Sequence, residues 1–379
     1  MEIREITEYE YPIFSKIREI GFNSTYNPID TYSEVFGYFD NEKMTSCMAG
    51  KQIQANFWGK SINMCGMGSI ATLPEYRNKG QIRALMEYVL NFSYKRGDLI
   101  AGLHPFSHSF YRKFGFDSGR CVDYIEAHPS DLSQFKQSGS VKKYNQNDDF
   151  SDIKFVFEIF SKNRNFSRLR DTHAWKRRLL YSPSGELVQT YIHYGDDNSP
   201  SAYATIVENK SSYNFIEIAY VSIKALKSLL GYFSSIPNDI VLNIPLPFEI
   251  DPCIFFENSL DLKIKKECHD AFRIINAIEC LKLYPWKENT DIKIKIFDSI
   301  IPQNNDTFLI KSTKNNLTVQ RTELDEDASF NIGELGMLIF GCCDLKSLLV
   351  NRSTCRLNEK SKAVFSIFEK NPIEFNEKF

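Results

Sequence analysis

One segment of the sequence places a strand end, a tight loop and a helix start in direct succession. The apolar run ends at Leu73, and Pro74 stops it because proline cannot donate to a strand ladder. A helix is predicted from about Asn78 to Lys95, so its first backbone N–H groups have no acceptor within the helix and carry the positive end of its dipole. This arrangement can bind an anion and suits a pyrophosphate.

The residue types in the loop favour the same chemistry. Gly80 lets the backbone approach a phosphate closely, and Arg77, Lys79 and Arg83 supply positive charge around it. The alternative is an ordinary strand–loop–helix turn with basic residues on its surface. The strand before the loop and the long amphipathic helix after it favour the anion site.

A second segment with chemistry is FYRKFGF, which contains Tyr111. A phenol has a pKa of about 10, so Tyr111 is a candidate general acid. The alternative is that Tyr111 only packs in the core. His104 and His108 are spaced like ligands on a helix, but Pro105 follows the first and a third ligand is missing, so we predict no metal.

Both segments need a sheet to position them. Before the loop we predict strands over 2–6, 37–40, 44–57 and 61–73, with helices over 8–20 and from 27 to about 35. After the loop helix we predict a strand over 99–103, a short helix over 107–113 and one strand over 116–125. This order predicts a mixed sheet with helices on its faces.

Composition limits the class of protein. The chain has 379 residues and a formal charge of −2, so no basic field favours nucleic acid. Nine cysteines without a CxxC pair indicate reduced thiols. The charged start lacks an apolar h-region, so we expect no signal peptide, and no apolar run reaches the about 20 residues of a membrane span. We therefore expect a cytoplasmic protein, and the Lys, Asn and Ile content is typical of a bacterial one.

Changes of texture along the chain predict three domains. The segment near 130–150 is polar and is predicted to be a linker. From residue 271, strands with alternating polar and apolar residues follow a region of mixed helices and strands. The predicted ranges are 1–130, 140–270 and 275–379.

The first segment resembles motif A of the GNAT superfamily of N-acetyltransferases, with Arg77-x-x-Gly80-x-Ile82 in place of its [Q/R]-x-x-G-x-[G/A]. Ile82 departs from the small residue of that motif. FYRKFGF resembles the YxKxGF element of the same superfamily. The resemblance implies acetyl-CoA as co-substrate, Tyr111 as the acid that protonates coenzyme A, and a backbone N–H near Ile70 that polarises the thioester. The cofactor-binding residues it implies are Ser69, Ile70, Thr72, Arg77, Asn78, Lys79, Gly80, Gln81, Ile82, Arg83 and Ser107.

The order of the domains resembles the Eis acetyltransferases, which have tandem GNAT domains and a sterol-carrier-like C-terminal domain. The segment 218–231 has neither a basic residue nor a glycine at the bend where a second phosphate loop would need them, and 331–338 with the final Phe379 is similar to the third domain of that family. The resemblance implies an α/β (α+β) chain with an N-terminal GNAT mixed sheet, a degenerate GNAT-like domain and a sterol-carrier-like α+β domain.

The same resemblance implies further site residues. The α-carboxylate of Phe379 would act as general base, which is useful because an amine of pKa near 10 is only about one part in a thousand neutral at pH 7. The acceptor pocket would contain Phe22, Tyr26, Asp30 and Tyr32. The family also implies a homo-oligomer, a hexamer built from trimers.

Two alternatives stay open at this point. The chain could be a non-catalytic acetyl-CoA sensor or a carrier of lipid or another small ligand on its third domain. If it is an enzyme, the acceptor could be an aminoglycoside, a polyamine-like small molecule or a protein lysine.

Overall fold

The computed structural model describes residues 1–23, 34–119, 121–146, 148–260, 262–352, 354–358, 367–375 and 377. The chain forms two compact units. The first combines residues 1–119 with 269–371, and the second combines residues 120–268 with 372–377. Each unit is formed by separate stretches of the chain, so neither corresponds to a single range of the sequence.

In the described parts of residues 1–119, six strands and three helices belong to the first unit. They are β1 (Glu2–Glu5), α1 (Tyr11–Phe22), β2 (Val35–Asp40), β3 (Lys43–Phe57), β4 (Lys60–Thr72), α2 (Gln81–Arg96), β5 (Ile100–Leu103), α3 (His108–Arg112) and β6 (Asp117–Ser118).

The second unit is also mixed. Its elements are β7 (Val122–Ala127), β8 (Ser140–Lys143), α4 (Ser151–Ser161), α5 (Thr172–Arg178), β9 (Gln189–Tyr194), β10 (Pro200–Glu208), β11 (Ser212–Tyr220), α6 (Ile223–Tyr232), β12 (Val241–Pro245), α7 (Pro252–Phe255) and β13 (Lys263–Glu267).

The chain then returns to the first unit. The elements of this part are β14 (Ala271–Ile274), α8 (Ala277–Leu283), β15 (Asp291–Phe297), β16 (Asp306–Thr313), β17 (Asn316–Arg321), β18 (Ala328–Asn331), α9 (Ile332–Ile339), α10 (Leu345–Asn351) and β19 (Arg356–Leu357).

Three sheets result from these strands. The first has the order β1-β2-β3-β4-β5-β14-β6, the second β13-β7-β12-β11-β10-β9-β8, and the third β17-β16-β15-β18-β19. In the first sheet β4 and β5 are parallel while β14 is antiparallel to both of its neighbours. The predicted mixed α/β architecture is confirmed.

Helices α1 and α2 cover opposite faces of the first sheet. Phe14 of α1 packs in one cluster with Cys47 of β3, whereas Leu85 of α2 packs in another with Met48, the next residue of that strand. Because successive strand side chains point to opposite faces, the two helices lie on different sides. Leu85 is fully buried, and burial of a leucine side chain contributes about 1.5–3 kcal/mol.

The predicted single strand over 116–125 is wrong. Asp117–Ser118 belongs to the first sheet and Val122–Ala127 to the second. Gly119 still follows the β6–β14 register, because its N–H donates to the carbonyl of Asp270 at 2.9 Å, whereas Val122 already pairs with Glu267 in the second sheet. The predicted helix from 27 falls largely outside the described residues, and Val35, at its expected end, is in a strand.

A buried ion cluster fixes the C-terminal segment within the second unit. The carboxylate of Glu377 accepts hydrogen bonds from Arg168 at 2.9 Å, Arg170 at 3.0 Å and Arg178 at 3.3 Å. Arg170 also binds Glu217, whose carboxylate is almost fully buried. Because an isolated charge is costly in the interior, each group holds its partners in place.

None of the helices in the described part of the chain has the length and apolar character needed to cross a membrane.

Candidate active site

Strands β4 and β5 separate within the first sheet. They pair from Met64 with Ile100 to Gly66 with Gly102. Beyond Gly66, β4 continues to Thr72, and its strand partner there, among the described residues, is β3 alone. The β5-facing edge of that part of β4 can therefore accept an extended ligand, which would pair with the backbone as an added strand.

A β-bulge interrupts this exposed part of β4. Cys47 pairs with Ala71 and Ala49 with Gly68, so Ser69 and Ile70 together oppose a single residue of β3. Ser69 has a φ of 51°, in the left-handed region, and its buried hydroxyl accepts a hydrogen bond from Arg18 Nε at 3.1 Å. Bulges of this kind redirect backbone groups and are frequent beside active sites.

The predicted anion loop follows the end of β4. A short 3-10 turn occupies Pro74–Tyr76, and both Asn78 and Gly80 have left-handed backbones, with φ values of 61° and 78°. Gly80 is the N-cap of the 16-residue helix α2. A Cβ at Gly80 would meet no protein atom within 4 Å, so the space in front of the helix start is open to a ligand.

The basic residues of the loop are exposed. Arg77 Nε donates to the Thr72 carbonyl at 3.4 Å, Lys79 Nζ lies 4.9 Å from the Tyr76 ring centroid, and Arg83 is 3.4 Å from the carboxylate of Glu87. All three contacts are at the surface, where such interactions are weak. These side chains can therefore turn toward a phosphate at little cost.

Two of the predicted binding residues have side chains that do not face the loop. The Gln81 side chain is buried, and its Oε1 accepts hydrogen bonds from Ser46 Oγ at 2.6 Å and Thr45 Oγ1 at 2.9 Å. Ile82 packs against the core beneath α2. Gln81 and Ile82 can therefore contribute only backbone N–H groups to an anion, and Gln81 also ties the helix start to β3.

Helix α3 carries Tyr111. Ser107 caps this helix and accepts the N–H of Phe110 at 3.3 Å, so its hydroxyl has a structural role. Tyr111 is 3% exposed and packs edge-on against Phe106 and Phe116, with ring centroids 5.3 and 6.1 Å away. Burial raises the pKa of Tyr111, so the hydroxyl keeps its proton. Among the described residues it has no hydrogen-bond partner.

The predicted acceptor pocket is described only in part. Phe22, the last residue of α1, is 51% exposed, and the guanidinium of Arg18 lies 5.3 Å from its ring centroid. Tyr26, Asp30 and Tyr32 lie outside the described residues, as does Phe379.

The two histidines have separate contacts. Nδ1 of His104 lies 3.1 Å from Asp270 Oδ1, and Nδ1 of His108 lies 3.4 Å from Ser118 Oγ. In the ranges that the structure describes, no group of three or more His, Cys, Asp or Glu side chains is placed to hold a metal.

The sequence reasoning missed two buried arginines. Arg273 of β14 is fully buried and pairs with Asp298, and Arg170 belongs to the cluster around Glu377. In the sequence they are arginines in otherwise apolar or mixed segments, and only the fold shows that distant carboxylates neutralise them.

Two parts of the chain match known families. Residues 2–119 match the acetyltransferase (GNAT) domain, and residues 278–359 match the sterol carrier protein domain. No curated protein matches the sequence.

Several solved structures share the fold over the whole chain. A conserved protein of Enterococcus faecalis has a TM-score of 0.87 at 18% identity, covering 100% of this chain and 99% of that one. A GCN5-related N-acetyltransferase from Anabaena variabilis has a TM-score of 0.86 at 15% identity, with 100% of both chains covered. Eis1 from Mycobacterium abscessus has a TM-score of 0.83 at 15% identity, also with 100% of both covered.

The domain matches and the open strand edge beside a helix start define an acyltransferase built on a GNAT domain. Along its full length the chain has the fold of Eis1, with a sterol carrier domain following the acetyltransferase part, as the sequence predicts.

Proposed function

We propose that this protein transfers the acetyl group of acetyl-CoA to a primary amine by direct attack. The observation that carries the proposal is the separation of β4 from β5 after Gly66. Beyond this point β4 has a free edge, and the chain continues from the end of β4 through the loop to the open N-terminus of α2. A groove next to an anion site matches a ligand with a long amide-containing arm and a pyrophosphate.

The binding roles follow the chain. The N–H groups of Gln81, Ile82 and Arg83 bind the pyrophosphate, and the side chains of Arg77 and Lys79 add charge. Ser69, Ile70 and Thr72 lie on the free edge of β4. The bulge at Ser69 supports a backbone N–H near Ile70 as the donor that stabilises the developing oxyanion.

The reaction has one acid and one base. The amine lone pair forms a bond to the thioester carbonyl carbon, the C–S bond breaks, and Tyr111 gives its proton to the departing thiolate. The ammonium proton passes to a base, for which the family resemblance implies the α-carboxylate of Phe379. The phenol of Tyr111 is protonated at neutral pH, and because burial raises its pKa it is a weaker acid than an exposed tyrosine.

Further elements of this proposal rest on the sequence and the family resemblance and not on the geometry of the site. They are an acceptor pocket that includes Phe22, a homo-oligomeric assembly as a hexamer or trimer, a cytoplasmic location, a bacterial source, and the domain ranges 1–130, 140–270 and 275–379.

Calorimetric titration with acetyl-CoA tests the binding half of the proposal. Release of free thiol is then measured with a panel containing an aminoglycoside, a polyamine and a lysine peptide. We expect binding, and thiol release with at least one amine. Binding without release would favour an acetyl-CoA sensor, and no binding would exclude the anion site at Gly80.

A further inference from the structure

The turn that follows Tyr111 is held by an arginine from a distant part of the chain. Arg273 of β14 is fully buried, and its Nη1 donates to the carbonyl of Phe114. Phe114 in turn donates its N–H to the Tyr111 carbonyl at 2.9 Å. One hydrogen-bonded path therefore runs from Arg273 through Phe114 to the backbone of Tyr111.

Arg273 is itself fixed by Asp298. Its Nη2 lies 2.6 Å from both carboxylate oxygens of this fully buried residue. Asp298 also accepts the N–H of Ile300 at 2.9 Å and the side-chain amide of Asn304 at 2.9 Å. These partners together fix the position of the Asp298 carboxylate. The guanidinium of Arg273 is planar and rigid, so its position is fixed by that carboxylate.

A second link reaches the same turn from the surface. Asp117 accepts a hydrogen bond from Arg112 Nε at 3.0 Å, and Arg112 is the residue after Tyr111 in α3. Asp117 also accepts Arg352 Nη2 at 3.0 and 3.2 Å from its two oxygens. Arg352 follows α10, within the stretch that matches the sterol carrier domain.

The sheet adds a third connection. Strand β6, which begins at Asp117, pairs with β14 through Phe272 with Asp117 and Ala271 with Ser118. In the described part of the chain β14 is its one strand partner. Residues after position 269 therefore contact the segment from α3 to β6, which carries Tyr111, at three places.

We propose that Arg273 and Arg352 are positioning residues for Tyr111, so that residues 269–352, and with them the sterol carrier domain, hold the catalytic acid of the N-terminal domain in place. The inference rests on the proposed role of Tyr111. A buried ion pair is seldom the most stable way to fill a core. What such a pair supplies is a fixed orientation of the groups it binds. A catalytic acid needs a fixed orientation to give its proton to the sulfur of coenzyme A.

The test is a double-mutant cycle on Tyr111→Phe and Arg352→Ala. Arg352 is partly exposed, its side chain being 27% accessible, so its truncation leaves a gap that water can fill. The assay is thiol release with the panel amine of highest turnover, and thermal unfolding verifies that each variant is folded. Arg321→Ala is the matched control, since Arg321 pairs with Asp306 at 3.1 Å in the same domain.

We expect Arg352→Ala to lower kcat about tenfold while KM for acetyl-CoA stays within about twofold. In the Tyr111→Phe background the same substitution should have no further effect on kcat, because the group it positions is gone. Arg321→Ala should leave kcat unchanged in both backgrounds. Equal losses from Arg352→Ala with and without the Tyr111 hydroxyl would overturn the inference, as would no loss at all.

Arg273→Lys supplies an independent second cycle. Lysine keeps the charge but, as a point donor, cannot hold the Phe114 carbonyl and both Asp298 oxygens at once. We expect a loss of kcat of about tenfold that again vanishes in the Tyr111→Phe background. If this variant does not fold, the Arg352 cycle decides.

The two levels of the proposal fail differently. If Tyr111→Phe itself leaves kcat unchanged, the acid assignment is wrong and the positioning role falls with it. If Tyr111→Phe lowers kcat but the arginine variants act independently of it, the acid assignment stands and the positioning role alone is wrong.

Discussion

Gln81 and Ser46 join the start of α2 to β3 by a buried hydrogen bond of 2.6 Å. The same Gln81 oxygen accepts Thr45 Oγ1 at 2.9 Å. The residue that opens the anion-binding helix is therefore anchored to the sheet, and the backbone N–H groups beside it are fixed before a ligand arrives.

Gln81→Ala should weaken both stability and acetyl-CoA binding. Two buried hydroxyls lose one of their acceptors, at a cost of about 0.5–1.5 kcal/mol for each hydrogen bond, and the helix start loses its anchor. Asn91→Ala on the same helix is the control, because the Asn91 amide donates to the Glu87 carbonyl of that helix at 2.8 Å. Urea unfolding and calorimetry measure the two effects. Equal affinity for acetyl-CoA in the two variants would show that the anchor has no role in binding.

Gly80→Ala should raise the Kd for acetyl-CoA at least tenfold, and Gly80→Val should abolish binding, because a side chain would enter the space in front of the helix start. Gly97→Ala is a matched control. Gly97 has a φ of 89° at the other end of α2, and a Cβ there would also meet no atom within 4 Å. Each alanine variant should lose about 1 kcal/mol of stability, since alanine is strained in a left-handed conformation. Identical Kd values for both would remove Gly80 from the binding site.

Tyr111→Phe should lower kcat about 100-fold with no change in acetyl-CoA affinity. Tyr88→Phe, at an exposed tyrosine of α2, should have no effect. Because burial raises the pKa of Tyr111 above its ordinary value of about 10, the wild-type kcat should not fall from tyrosine ionisation below about pH 10. A pH–rate profile tests this, and a tyrosine-dependent decline near pH 8 would contradict it.

Glu377→Gln should destabilise the second unit by about 3–5 kcal/mol, because it leaves buried arginine charges without compensation. Burial disfavours the ionised form of Glu377, but the charges of Arg178, Arg170 and Arg168 outweigh it and hold the pKa of this carboxyl well below its usual range.

The sign of the pH dependence follows from that lowered pKa. A group with a depressed folded-state pKa contributes stability above its unfolded pKa of about 4.3 and loses it as the pH falls toward the folded value. Urea midpoints measured from pH 7 to pH 2 should therefore drop less steeply for Glu377→Gln than for the wild type. Glu158→Gln, at a carboxylate that is 62% exposed, is the control and should follow the wild-type curve.

Extending the chain by a dipeptide after Phe379 should lower kcat sharply if its α-carboxylate is the base, because the extension moves that charge away. Acetyl-CoA affinity should be unchanged, and the same dipeptide added before Met1 is the control. Normal turnover of the extended protein would assign the base to another group.

The sequence by itself determined the local parts of this protein. Pro74, the glycine at position 80 and the apolar spacing of α2 act within a few residues, so the strand–loop–helix unit could be predicted, as could the strands β2 and β3 and the helix that carries Tyr111. The resemblance of two short motifs was enough to predict a GNAT domain, since those motifs are themselves local.

Only the tertiary structure decided which distant segments complete these parts. No local pattern shows that β14 enters the first sheet beside β5, that Ser69 sits in a bulge, or that Gln81 turns inward to Ser46. The sequence pattern does not show that the charged side chains of Arg273 and Glu377 are buried. Their positions depend on partners at Asp298 and at Arg168, Arg170 and Arg178, because a charge enters the interior only where the fold brings its counter-charge to it.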